Sequence, residues 1–259
     1  DEYGPTAEAQ RLAAAAFGAE RTWFLANGST AGVLAALFAA VVEWHRAHPQ
    51  GQGVPRVILP RNAHKSALNA LRITGARPRW VAPGYDAQAG ITLGVAAADI
   101  AQALAEEPEL NAAVFVVSPT YHGVASDIEA IAAHASEAGV AFIVDEAHGA
   151  HLGFLETCDE ADASSDGDVL PLPVARPALS LGADIAIHST HKTLCSLTQS
   201  AMLHTSAGDR SSLAQSLDAA VDMFVSSSPS YLLLASLDAA RWQVDAPSGG
   251  GRVAMHRAL

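Results

Sequence analysis

The sequence predicts an α/β protein in three layers, a mostly parallel seven-stranded sheet with helices on both faces. Three observations carry that expectation. Short β-branched runs alternate with longer alanine-rich segments of helical period, the order in which crossover helices join parallel strands. Half of the 259 residues are hydrophobic, enough to bury a core on both sides of a large sheet. The conspicuous polar clusters each follow a strand, at the edge where open parallel sheets bind ligands.

In chain order, periodicity predicts a helix over 6–17, a strand over 22–25 and a long helix over 30–47. The uncharged run 31–42 inside that helix is about twelve residues, short of the roughly 20 that span a bilayer, so it reads as a core helix and no membrane partner is expected. Next come strand 56–59, helix 65–73, strand 79–82, helix 97–106, strand 112–117, helix 128–138 and strand 141–144. Residues 156–177 are acidic, rich in Asp, Ser and Pro and without apolar period, which predicts a surface insertion. Strands 185–188 and 201–204 and helices 211–223 and 231–241 complete one unit over 1–245. Residues 246–259, with Pro247, Ser248 and three glycines, read as a tail or linker. The chain shows no internal repeat.

Composition narrows the function classes. With 15 basic and 27 acidic side chains the net charge is −12, which repels a phosphate backbone and argues against a nucleic-acid partner. Cys158 and Cys195 allow at most one bridge and offer no metal-ligand spacing. No charged leader precedes an apolar stretch, so no targeting segment is expected and the expected location is cytoplasmic, with a plastid also permitted. Thirteen of the fifteen basic residues are arginine, so chemistry that needs a primary amine has two candidates, Lys65 and Lys192.

The strand ends carry the chemistry. After the first strand, Asn27-Gly28-Ser29-Thr30 opens a helix, and small residues, hydroxyls and free N–H groups there make a phosphate cradle, although Ser and Thr at such a place are more often plain caps. Arg61 to Ser66 and Ser118 to Gly123 follow two further strands and each also reads as a solvated loop. Asp145 ends an apolar strand, where a carboxylate needs a cationic partner or several donors. The letters from Asp145 to His148 match a helicase box, but neither lysine follows a glycine, so a phosphate-binding loop is missing and the motor reading fails. His148 and His151 stand three apart without a complete metal-binding pattern, so no metal is expected. Lys192 follows the sixth strand, where an amine suits Schiff-base chemistry. Phosphate cradle, buried carboxylate and lysine together are what a pyridoxal phosphate site requires.

At this point the sequence resembles the Orn/Lys/Arg decarboxylases. The resembling stretches are FLANGSTAG at 24–32, PRNAHKSALNAL at 60–71, SPTYHG at 118–123, VDEAHGAHLGF at 144–154, HSTHKTLCSLTQSAMLH at 188–204 and SSSPSYLLLASLD at 226–238. The resemblance implies the aspartate-aminotransferase type of pyridoxal phosphate fold. It implies that Lys192 forms the Schiff base, that Asp145 partners the pyridine nitrogen and that His64 stacks on the ring. Ala147 would pack on the other face with His148 beside it. Ser29, Thr30, Ser189 and His191 would serve the phosphate, and Ser226 and Ser227 would reach the phosphate of a neighbouring subunit in a homodimer. The implied reaction is decarboxylation of arginine, lysine or ornithine, with Lys192, His64, Asp145 and His148 as its catalytic group. An aminotransferase or lyase on the same cofactor, and a truncated non-catalytic homologue, are the alternatives. Family members carry a further C-terminal domain and usually an N-terminal extension, neither of which is expected in these 259 residues.

Overall fold

The computed structural model describes residues 3–51, 53–155, 175–207 and 211–245. Most of the expected insertion, up to residue 174, and the expected tail from 246 lie outside the described residues. The first half runs α1 (Pro5–Phe17), β1 (Arg21–Leu25), α2 (Gly28–Ala47), β2 (Arg56–Pro60), α3 (Lys65–Thr74), β3 (Arg77–Val81), β4 (Tyr85–Asp86), β5 (Ile91–Thr92) and α4 (Ala97–Ala105). The second half runs β6 (Asn111–Val117), α5 (Ile128–Ala138), β7 (Ala141–Asp145), α6 (Leu152–Leu155), β8 (Ile185–His188), α7 (Thr190–Thr193), β9 (Ala201–Thr205), α8 (Ser212–Phe224) and α9 (Tyr231–Asp245).

Seven strands form one sheet in the order β1-β9-β8-β7-β6-β2-β3. All neighbours from β3 to β8 are parallel, and β9 is antiparallel to both β8 and β1. The sheet is therefore mostly parallel as the sequence predicts, with β9 as the reversed strand. The reason is local: between β8 and β9 the chain forms only the four-residue α7, so no crossover helix carries it back to the starting edge. Because β1 and β8 both oppose β9, the C-terminal ends of β1, β2, β6, β7 and β8 share one edge.

The hairpin of β4 and β5 is an element that periodicity did not reveal. It closes through the Asp86 carboxylate, whose Oδ1 accepts from the Gln88 and Ala89 N–H groups at 2.8 and 3.0 Å.

Alternation along the strands splits the core. Leu59, Ala113, Phe115, Ile143, Ile185 and Ile187 face α2, α3 and α8. Ile58, Val114, Val116, Val144 and Ala186 face α4 and α5, while Phe24 and Met202 meet α1 and α9. Burial on both faces is what near-continuous apolar strands require. Helix α2 is long and apolar enough to cross a membrane by length and composition, but Val33, Leu37, Val41 and Trp44 are buried in the core. Gly32 permits its close approach, since a Cβ there would lie 2.9 Å from Leu25 Cδ1 and 3.0 Å from Ile187 Cγ2.

Candidate active site

Helix α2 begins at Gly28, two residues before the expected start, so Ser29 and exposed Thr30 stand inside its first turn rather than at its cap. Asn27 occupies the cap position without capping: its Nδ2 donates to the Phe224 carbonyl at 2.9 Å. The first-turn N–H groups of a 20-residue helix thus have no side-chain cap and carry the positive end of the helix dipole. Ser189, at the end of β8, donates its hydroxyl to Ser29 Oγ at 2.7 Å.

Asp145 is the last residue of β7, and its side chain is buried. Its Oδ1 accepts from the Ala147 N–H at 3.2 Å. Burial pushes the carboxyl up to about 6, against the downward pull of the Ala147 N–H and of the Lys192 and His188 charges. The strand reaches this position because apolar residues 142–144 fill both faces, carrying a polar group into the sheet edge. Ala147 is buried in the turn that follows.

Lys192 lies exposed in α7, and its Nζ is 3.2 Å from His148 Nε2. His148 also meets Tyr121 edge-on, with ring centroids 5.6 Å apart. His64 caps α3, accepting from the Ser66 N–H at 3.3 Å through Nδ1, which also contacts Ser66 Oγ at 2.8 Å. Partial burial, then Lys192, then Lys65 hold His64 below the usual imidazole value. Burial, Lys192 and His64 do the same to His148. Three segments far apart in sequence thus bring His64, His148 and Lys192 within electrostatic reach of one another.

The remaining expected residues are placed less centrally. His191 turns Nδ1 to the Ser200 carbonyl at 2.7 Å, supporting the α7 to β9 connection. Ser226 and Ser227 are exposed between α8 and α9, where Ser226 Oγ accepts from the Ser228 N–H at 3.2 Å. No hydrogen bond joins this pair to the Lys192 cluster among the described residues. A concavity of about 710 Å³ opens at the opposite sheet edge, between Trp44, Asn111, Phe142 and Asp184, away from every expected site residue.

Sequence reasoning missed three groups here. Tyr121 lies in a loop already singled out, but nothing marked it as His148's neighbour. Thr190 Oγ1, wholly buried, has no hydrogen-bond partner among the described residues. Glu146 and His188 form a buried pair, Oε2 to Nε2 at 2.8 Å, which pattern could not reveal because the partners are 42 residues apart.

Comparison with known proteins follows the same lines. The family model described as the Orn/Lys/Arg decarboxylase major domain matches residues 1–256. Arginine decarboxylase of Bacillus subtilis (strain 168) is 38% identical over 234 residues, which cover 90% of this chain and 42% of that protein. Lysine decarboxylase LdcA of Pseudomonas aeruginosa is 29% identical over 268 residues, covering 96% of this chain and 32% of the relative. Among solved structures, lysine decarboxylase A from Pseudomonas aeruginosa superimposes with a TM-score of 0.75 at 27% identity, over 98% of this chain and 33% of that one. The Burkholderia pseudomallei sphingosine-1-phosphate lyase, with a TM-score of 0.70 at 18% identity over 98% of this chain and 58% of its own, shares the fold. The chain spans less than half the length of the curated relatives it matches. With a family match over nearly its whole length, the chain belongs to the Orn/Lys/Arg decarboxylase major-domain family.

Proposed function

We propose that this chain forms the cofactor-bearing part of a pyridoxal phosphate-dependent enzyme that decarboxylates a basic amino acid, arginine, lysine or ornithine, with release of CO2. The observation that carries the reading is the Lys192–His148 contact, an amine beside a neutral imidazole at the sheet edge that also holds Asp145 and the Ser29–Ser189 pair. Relatives named arginine and lysine decarboxylases support the substrate class.

The residues present fit the cofactor. A hydroxyl pair over the uncapped first turn of α2 suits a phosphate: Ser29 and Thr30 belong to that turn and Ser189 is bonded to it, while the Nδ1 of His191 is engaged by the Ser200 carbonyl. A buried carboxylate whose one hydrogen bond among the described residues comes from the Ala147 N–H suits a protonated ring nitrogen, which would put a cation in direct contact with it. The bound cofactor would supply an electron-withdrawing ring able to take up the electron pair left when a carboxylate departs.

The chain's own residues do the rest. Asp145, ionised, would hold a proton at the nitrogen of a bound cofactor ring. His148 Nε2 accepts from Lys192 Nζ and offers a place for the proton that the amine must lose before it can act as a nucleophile. His64, kept neutral by partial burial and the nearby lysines, and buried Ala147 would offer uncharged surfaces to a bound ring. Exposed Ser226 and Ser227 face outward to serve a second copy of the chain in a homodimer.

The test is an absorbance spectrum of the protein with pyridoxal phosphate, repeated on Lys192→Ala, then borohydride reduction and peptide mapping. A visible band absent from the variant, with the label on Lys192, supports the reading, and no band in the wild type ends it. Release of CO2 from labelled arginine, lysine or ornithine separates decarboxylation from amino-group transfer or elimination, which leave the carboxylate in place.

A further inference from the structure

Two side-chain contacts join the turn after β7 to the segment around the end of β8. The outer one is His148 to Lys192, at the surface. The inner one is Glu146 to His188, with side chains only 2% and 4% exposed. Glu146 is held at both oxygens: Oε2 by His188 Nε2 at 2.8 Å and Oε1 by the Ala178 N–H at 3.0 Å. Ala178 begins a short 3-10 turn that packs against α5 and the core under β7, so the carboxylate ties together three segments.

Aromatic and small residues pack around this clasp. Phe17 of α1 lies 5.3 Å from the His188 ring, and Phe154 of α6 lies 5.0 Å from Phe17. His204 of β9 approaches His188 at 4.5 Å and contacts Thr22 Oγ1 at 2.8 Å. Gly149 completes the fit, since a Cβ there would stand 2.5 Å from Glu146 Cγ and 2.9 Å from Pro119 Cδ. Its N–H also donates to the Glu146 carbonyl at 2.9 Å, closing the turn. A buried carboxylate with both oxygens engaged resists displacement, because moving it leaves buried donors and acceptor unpaired.

We propose that Glu146 is a positioning residue whose clasp on His188 and Ala178 fixes the turn carrying Asp145, Ala147 and His148 at the distance that lets His148 meet Lys192. Its importance for catalysis rests on the function proposed above, but the positioning itself does not. The measurement therefore avoids the cofactor. The protein is treated with hydroxylamine to strip any carbonyl compound, then labelled at a single pH with a limiting amount of an amine reagent. Peptide mass spectrometry reads Lys192, with Lys65, the other lysine in the sequence, as internal reference.

Lys192 Nζ held against His148 is partly shielded from the reagent, so its release in His148→Ala should raise Lys192 labelling relative to Lys65 by roughly 2–10-fold, the equivalent of one hydrogen bond. The proposal expects Glu146→Ala to raise that ratio by the same factor, to add nothing to His148→Ala in the double variant, and to leave Lys65 labelling itself unmoved. Glu146→Gln, which can still accept from Ala178 and reach His188, should keep the wild-type ratio. An unchanged Lys192 ratio in Glu146→Ala, a further rise in the double variant, or a Gln variant that behaves like Ala overturns the proposal. So does a His148→Ala protein with the wild-type ratio. Should Glu146→Ala fail to fold, Gly149→Ala displaces the clasp while keeping the carboxylate; a Lys192 ratio unchanged there overturns the proposal equally. Absence of a cofactor band in the earlier experiment leaves this measurement intact, so the two failures are distinguishable.

Discussion

The Ser189 hydroxyl donates to the Ser29 hydroxyl over 2.7 Å, joining positions 160 residues apart. The bond places the end of β8 on the first turn of α2. A phosphate seated there would accept from both hydroxyls as well as from backbone N–H groups. Hydrogen bonds to a charged acceptor contribute about 1.5–3 kcal/mol each, so Ser29→Ala and Ser189→Ala should each weaken pyridoxal phosphate binding by roughly 10–100-fold. Fluorescence titration of the stripped protein measures this, and unaltered affinity in both variants would place the phosphate elsewhere.

Asp145 makes stability depend on pH in an unusual direction. Its carboxyl is pushed from the ordinary 3.8 to about 6, so between those values the folded chain binds more protons than the unfolded one. Its contribution is therefore favourable in acid and is lost as pH rises through about 6, by ~3 kcal/mol in all. Asp145→Asn should melt higher than wild type at pH 7–8, converge with it near pH 4, and give no Lys192-dependent band of normal intensity. Chemical denaturation of the stripped protein at several pH values checks the sign, and a variant less stable at pH 8 refutes the account.

His204 acts in the opposite sense. Burial above all, with His188 adding to it, holds its imidazole well below the ordinary 6.5, so the folded protein keeps it neutral while the unfolded chain takes up a proton. Stability from this residue is present at neutral pH and is lost as pH falls below about 6.5. His204→Gln should cost stability at pH 7.5 through the lost Thr22 contact, yet show a shallower decline between pH 6.5 and 5. Equal acid slopes in the two proteins would exclude His204 as a source of acid sensitivity.

Gly149→Ala tests packing behind the site. The new Cβ would meet Glu146 Cγ at 2.5 Å and the Pro119 ring at 2.9 Å, neither able to retreat without moving a buried hydrogen bond or the backbone. Overpacking of this kind costs about 1–3 kcal/mol. Urea unfolding with an unchanged m-value should report the loss, and wild-type stability would mean that the turn adjusts freely.

The periodicity of the strands made the fold legible, because residues 113–116 and 142–144 are apolar on both faces and can rest only inside a covered sheet. The position of Lys192 at a strand end was equally legible, since its chemistry is read from its immediate neighbours. Helix α2, by contrast, starts at Gly28 rather than at Thr30: the Asn27 side chain binds Phe224 and leaves the cap position open, a choice made 197 residues away. The hairpin of β4 and β5 escaped notice because two-residue strands carry no period.

The sequence by itself determined the order of helices and strands, and which polar residues stand at strand ends, because both follow from short-range periodicity and local backbone preference. Tertiary structure alone decided which strand ends meet, which way β9 runs, and how deeply the Asp145 carboxylate is buried. Those outcomes depend on how distant segments close over one another. The pairings of Ser29 with Ser189, His148 with Lys192 and Glu146 with His188 thus came into view only in the folded chain.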